Sequence, residues 1–193
     1  FAITYEGRAT PERITIQAFE VDKVEHENPW RRYKKSDREV TIHVPYIADY
    51  FPRENIRFPY LYLLTIKDAD LINTLNIHGI EMEVLNEDTN LEVERFKIEE
   101  LKSADRLNQG HYTNIIKGDY IVENIDFPEG TIVIRTAQKL GSLVAYLLEP
   151  QADDGLLKWN YFDRYLVPQW GSRYYPYPVY RILSAAEVNS TKL

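Results

Sequence analysis

Alternation of apolar and polar residues dominates the first third of the chain. In Arg13-Ile14-Thr15-Ile16-Gln17-Ala18-Phe19-Glu20-Val21, Ile14 and Ile16 share one face before the alternation slips near Ala18. Val40-Thr41-Ile42-His43-Val44 alternates without a break and predicts a strand with one wet face. The stretch from His26 to Asp37 between them is polar and reads as an exposed link. Pro45, Pro52 and Pro59 lack the N–H that a central strand needs, so they confine this region to edges and turns.

After Pro59 the pattern changes. Pro59-Tyr60-Leu61-Tyr62-Leu63-Leu64-Thr65 predicts a mostly buried strand, and Asp68 to His78 a short helix with Leu71, Ile72 and Leu75 at helical spacing. Thr65 or Asp68 can cap its start, and Gly79 suits a left-handed stop. Ile80-Glu81-Met82-Glu83-Val84 alternates again, so these three elements form one local strand–helix–strand crossover. Leu91 to Ile98 reads as a strand. A hairpin is expected from Asp119–Ile125 through the turn Phe127-Pro128-Glu129-Gly130 into Thr131–Arg135. Leu140, Leu143, Val144, Leu147 and Leu148 mark the apolar face of a second helix, which Pro150 ends. Pro178 to Ile182 is the last strand. The sum is a mainly β chain with two short helices (α+β), closest to an elaborated antiparallel β-sandwich. Residues 1–58 form a β-rich N-terminal part of the same or a separate domain, 59–183 the main domain, and 184–193 a tail expected to fray.

Composition narrows the function classes. A chain of 193 residues builds a real core, as one β-rich domain or two small ones, without disulfides. The 15 Tyr favour half-buried strands. A net charge of −7 argues against a nucleic-acid partner, and the basic run Arg31-Arg32-Tyr33-Lys34-Lys35 reads as a solvated loop. The absence of cysteine excludes disulfides, thiolate catalysis and cysteine-ligated metals. No stretch is long enough for an apolar helix spanning a membrane. A start at Phe1, with neither Met nor a signal segment, reads as a mature product or an excised piece.

Candidate chemistry is sparse. His26, His43, His78 and His111 lie in no His-x-x-Glu or His-Glu-x-x-His pattern, and a helix end explains His78 without a ligand role. Asp153 and Asp154 before Gly155 suit an acidic turn better than an acid–base pair or a calcium site. Glu149 is placed to cap or to pair with Arg135, and Ser142 reads as a helix cap rather than a nucleophile. No catalytic constellation emerges, so the chain alone is not expected to be an enzyme. Aromatics crowd the last third: Trp159, Tyr161, Phe162, Tyr165, Trp170, Tyr174, Tyr175, Tyr177 and Tyr180. Exposed, they would stack on sugar rings or grip a protein; buried, they make core and interface, which is the favoured reading. The Tyr174-Tyr175-Pro176-Tyr177-Pro178 stretch is extended by its prolines and suits a path across a neighbouring domain. The candidate binding or interface set is Trp159, Asn160, Tyr161, Phe162, Asp163 and Trp170, with Asp153 and Asp154.

From about Tyr60 onward the chain resembles the region after the catalytic domain in bacterial zinc carboxypeptidase-like proteins, the M14 metallopeptidase family. The resemblance rests on Tyr62-Leu63-Leu64, His78-Gly79-Ile80, Gln109-Gly110-His111, Thr136-Ala137-Gln138, the run from Leu147 to Asp163, and Tyr177-Pro178-Val179-Tyr180-Arg181. They occur in the family's order over roughly two-thirds of the chain. The family's activity needs His-x-x-Glu with a distant His on zinc and a Glu as general base, and none of these can be carried onto a position here. The resemblance implies a parent enzyme that trims C-terminal residues from peptides. This chain would be its non-catalytic accessory portion, packed on the peptidase domain and shaping its cleft. Zinc then belongs to that domain, and the location implied is secreted or periplasmic. The rival class is a carbohydrate- or protein-binding β-sandwich module with Trp159, Tyr161 and Trp170 as its platform; a hydrolase using Asp153 and Asp154 ranks last.

Overall fold

The computed structural model describes residues 1–168, 170 and 173–193. They fall into two compact units, Phe1–Thr4 with Arg53–Leu193, and Tyr5–Pro52. The first four residues join the larger unit rather than the N-terminal part. The Phe1 amino group donates to the Ile56 carbonyl at 2.9 Å, and the Asp153 N–H donates to the Ile3 carbonyl at 2.9 Å.

Strands β1 (Ala2–Lys23) and β2 (Tyr33–Asn55) form a two-stranded sheet. Pro11, Pro45 and Pro52 all lie inside these long strands. They are tolerated because each strand of a two-stranded sheet has one unpaired edge, where the missing N–H breaks no ladder bond. Strand β2 already begins at Tyr33, so the link is shorter than expected. It contains one turn of 3-10 helix, Pro29–Arg31, capped by Asn28 accepting from the Trp30 N–H at 2.9 Å.

Seven further strands are β3 (Leu61–Leu64), β4 (Glu83–Leu85), β5 (Thr89–Asn108), β6 (His111–Phe127), β7 (Ile132–Arg135), β8 (Val179–Ile182) and β9 (Ser190–Lys192). They make one sheet in the order β6-β5-β8-β3-β7-β4-β9, with antiparallel pairs. The protein is therefore mainly β and antiparallel with few helices, consistent with a β-sandwich. The central strands are apolar on both sides because both faces of the sheet are covered. Leu61, Leu63, Val133, Tyr180 and Ile182 fill one hydrophobic cluster, while Tyr62, Leu64, Ile132, Ile134 and Val179 fill the other.

Helices α1 (Ala69–Ile77) and α2 (Gly141–Leu148) cover the second cluster with Leu71, Leu75, Val144 and Leu148. Of the two proposed caps for α1, Asp68 is the one used, accepting from the Leu71 N–H at 2.9 Å. Gly79 ends the helix at φ +76°, which only glycine adopts without strain. Strand β4 starts at Glu83 rather than Ile80; Ile80 and Met82 instead drop into the core. Strands β3 and β4 are both antiparallel to β7, so the crossover through α1 is real and β7 lies between its two strands.

Three expectations fail. The turn before Gly130 exists, but β7 does not pair with β6 as a hairpin; β6 pairs with β5, and β7 inserts between β3 and β4. With Ile132 and Ile134 on one face and Val133 on the other, β7 buries more surface in the sheet centre than beside an outer strand. Residues 184–193 do not simply fray, since they return as β9 with Glu83 opposite Lys192. Ser142 is exposed and no side chain caps α2. Gly141 is what that start requires, because a Cβ there would stand 1.9 Å from the Thr136 carbonyl oxygen. A third short helix, α3 (Asp163–Leu166), falls inside the aromatic run, where single-turn length leaves no periodicity to read.

Candidate functional site

The C-terminal end of α2 delivers a carboxylate into the core. Pro150 cannot continue the helix, so Glu149 leaves it with extended backbone and is 1% exposed. It does not meet Arg135, which pairs with Glu83 instead at 3.0 Å. Its partner is Arg181 on β8, whose guanidinium reaches both carboxylate oxygens at 2.9 and 3.0 Å. Tyr62 on β3 donates to one oxygen at 2.9 Å, and Tyr120 on β6 to the other at 2.8 Å. Arg181 also reaches Glu94 at 2.7 Å and lies 3.4 Å over the Tyr120 ring. Burial, and then the Glu149 charge, push the Tyr62, Tyr120 and Tyr177 phenols well above the usual range. Burial works against the Arg181 cation, but Tyr120 and Glu149 overcome it and hold its pKa above the ordinary value. Each Glu149 oxygen accepts two hydrogen bonds, so the group is a closed ionic knot with no free position for substrate.

The Trp159–Asp163 run is a second built feature. Asn160 takes the left-handed conformation at φ +65°. Its amide nitrogen donates to the Tyr112 carbonyl at 3.1 Å and to Asp163 at 3.0 Å. That leaves its oxygen to accept from His111 Nδ1 at 2.7 Å, so His111 carries a proton on Nδ1. His111 Nε2 is buried without a partner. The His111 ring stacks on Trp159 with centroids 4.5 Å apart, and the indole N–H donates to Asp154 at 2.6 Å. Buried Asn114 on β6 donates to Asp163 and to the Leu157 carbonyl. Phe162 is fully buried against Tyr177 at 5.2 Å, which makes it core and removes it from any contact surface. Tyr177 itself donates to the Leu148 carbonyl at 3.0 Å, and Tyr174 bonds the Leu101 backbone, so this proline-rich stretch is tied into its own unit.

Above these fixed residues lies an open cleft of about 700 Å3 between α1 and the 159–164 segment. Trp159 and Tyr161 form its aromatic wall, and Asp70, Asn73 and Arg164 line its polar side. Tyr161 is held by a 3.0 Å hydrogen bond to Thr74. Asp68 at the cleft floor is buried and occupied by the α1 cap, by Tyr165 at 2.6 Å and by Arg164. A smaller hollow of about 370 Å3 shares Trp159, Tyr161 and Thr74 and adds Leu143, Leu147 and Leu156.

Of the eight candidates named from sequence, Trp159, Asn160, Tyr161 and Asp163 converge on the larger cleft. Asp154 lines the smaller hollow through its bond to Trp159, whereas Asp153 is half-buried and lines neither. Trp170 is 85% exposed and lines neither space, so it does not extend the Trp159–Tyr161 platform. The Glu149–Arg181–Tyr62–Tyr120 knot was not read as a unit. Its signal was an Arg in the apolar Val179–Ile182 strand and a Glu closing an apolar helix. The histidines do not gather: His78 contacts the Thr74 carbonyl, His111 contacts Asn160, and His43 meets Thr15 in the other unit. Among the described residues, no three His, Cys, Asp or Glu are grouped to hold a metal. No helix among them is long and apolar enough to cross a membrane. No family model matches the chain, and no curated protein or solved structure is significantly similar to it.

Proposed function

We propose that this chain is a non-catalytic accessory domain of an M14-like zinc carboxypeptidase, a rigid platform that packs on the peptidase domain and shapes its cleft. One observation carries the reading. The separate stretches on which the resemblance rests meet in the folded unit as framework, not as a reaction centre. Tyr62, Glu149 and Arg181 close the buried knot, His111 clamps Asn160 and Trp159, and Tyr177 packs on Phe162. The Thr136 hydroxyl bonds the Pro59 and Tyr60 carbonyls, and Gln138 bonds the Glu81 backbone. The polar atoms named in these contacts are engaged inside the chain, which suits holding a shape. Zinc content and release of C-terminal residues from peptides test the reading on the purified chain. Neither is expected, and stoichiometric zinc with turnover overturns it.

The cleft favours a second reading, a saccharide site. Trp159 and Tyr161 offer aromatic faces, while Asp70 and Asn73 line the same cleft with polar side chains suited to hydroxyl recognition. Titration calorimetry against a panel of oligosaccharides decides it. Binding should be lost in Trp159→Ala and kept in Trp170→Ala; no binding to any glycan removes the reading.

A further inference from the structure

We propose that the Trp159–Tyr161 cleft takes a cationic saccharide, an amino sugar, in preference to a neutral one. This rests on the saccharide reading of the same cleft and adds the charge of the ligand. The aromatic wall is built in advance of any ligand. His111 stacks on the Trp159 indole with centroids 4.5 Å apart, and Asp154 holds the indole N–H at 2.6 Å. Trp159 is nonetheless 38% exposed, so ring surface stays open while its orientation is fixed. Tyr161, tied to Thr74 at 3.0 Å, is half-buried in the same wall. An exposed aromatic braced by its neighbours loses little freedom when a sugar ring stacks on it, and such preorganisation favours binding.

Charge then selects among sugars. Three carboxylates line the cleft, Asp68, Asp70 and Asp163, and Arg164 is the one cation among the described residues that does so. Arg164 pairs with Asp68, whose oxygens also accept from Tyr165 and the Leu71 N–H, so these two charges cancel. Asp163 accepts from Asn114 and, at 3.0 Å, from Asn160. Both donors are neutral; they satisfy its oxygens and leave its charge. Asp70 is exposed in the first turn of α1, where the helix N-terminus favours a carboxylate without supplying a counter-cation. Two negative charges therefore remain beside the open aromatic surface. An ammonium group suits both, drawn to the carboxylates by charge and to an indole or phenol face by the ring quadrupole. An N-acetylated sugar gains only the stacking and hydroxyl contacts. The carboxylates set the preference; the braced aromatic wall makes the site.

Titration calorimetry on the full chain tests this with a glucosamine trimer and its N-acetylated counterpart, at about pH 5.5, below the range of amines and above that of carboxylates. The glucosamine trimer should bind at least about fivefold more tightly, and most of that margin should vanish between roughly 0.05 and 0.5 M salt. Asp70→Asn keeps the shape of the side chain and removes its charge, and should cut the margin to about twofold or less. Asp119→Asn changes the net charge of −7 by the same amount from an exposed position on β6 outside the cleft lining, and should leave the margin intact. The salt dependence needs no variant and keeps the test decisive if Asp70→Asn disturbs α1. Equal affinity for the two trimers, or a margin that survives Asp70→Asn or falls equally in Asp119→Asn, overturns the inference and leaves the saccharide reading intact. Equally tight binding of a lysine trimer shows charge alone at work and overturns it too. If neither sugar trimer binds, the inference falls, while the saccharide reading falls only when the rest of the oligosaccharide panel fails with them.

Discussion

The larger unit and the Tyr5–Pro52 ribbon are both built mainly of strands, yet they use them in opposite ways. In the larger unit β3, β7 and β8 lie between neighbours, and both sides of each strand are sealed. In the ribbon each strand has one neighbour, and its best apolar residues, Ile14, Ile16 and Ile42, remain more than a third exposed. The same β-branched residues thus make a core in one place and an uncovered face in the other. What separates them is the number of layers available, not the propensity of the residues.

That contrast breaks most sharply at Glu149. Glu149→Ala leaves Arg181 buried against Glu94 alone and is expected to cost about 3–5 kcal/mol in denaturant unfolding at neutral pH. A loss below about 1 kcal/mol would mean the knot is solvated like a surface pair. Next is Asn160, held left-handed by its own side chain. Asn160→Ala should cost about 2–3 kcal/mol, and Asn160→Gly, which keeps the backbone free, should recover roughly 1 kcal/mol of it. If glycine is no better than alanine, the hydrogen bonds rather than φ hold the turn.

A graded effect follows on the alkaline side. Tyr62, Tyr120 and Tyr177 have folded pKa values above their unfolded ones, so the folded chain keeps these protons longer. Their contribution is complete below about pH 10 and is lost as pH rises, about 1 kcal/mol per phenol between pH 10 and 11. Absorbance at 295 nm should show three phenols that ionise only as the protein unfolds. The smallest effect is expected in the ribbon, where Ile42→Thr should change stability by no more than about 0.5 kcal/mol. A loss near about 2 kcal/mol would show that Ile42 is covered after all.

How much was legible can be argued from single elements. Helix α1 was readable end to end, because Asp68, the Leu71–Leu75 spacing and Gly79 act through bonds a few residues long. Candidate residues at 159–163 were readable as a cluster, because they adjoin in sequence and turn back on themselves. Their roles were not: Phe162 is core, Asn160 a backbone clamp, and Trp159 a wall braced by His111 from 48 residues away. Trp170, equally aromatic, joins neither the cluster nor the clefts.

By itself the sequence determined the mainly β character, both ends of α1, the stop of α2 at Pro150, and the aromatic residues at the cleft. These depend on periodicity, capping and proline or glycine stereochemistry, which act within one turn of chain. Only the tertiary structure decided that β7 lies between β3 and β4, that Glu149 meets Arg181 rather than Arg135, and that the ribbon buries almost none of its side chains. Those choices depend on which distant surfaces exclude the most water together. No local pattern encodes that sum; Tyr62 and Glu149 become partners across 87 residues because the sheet has already brought them there.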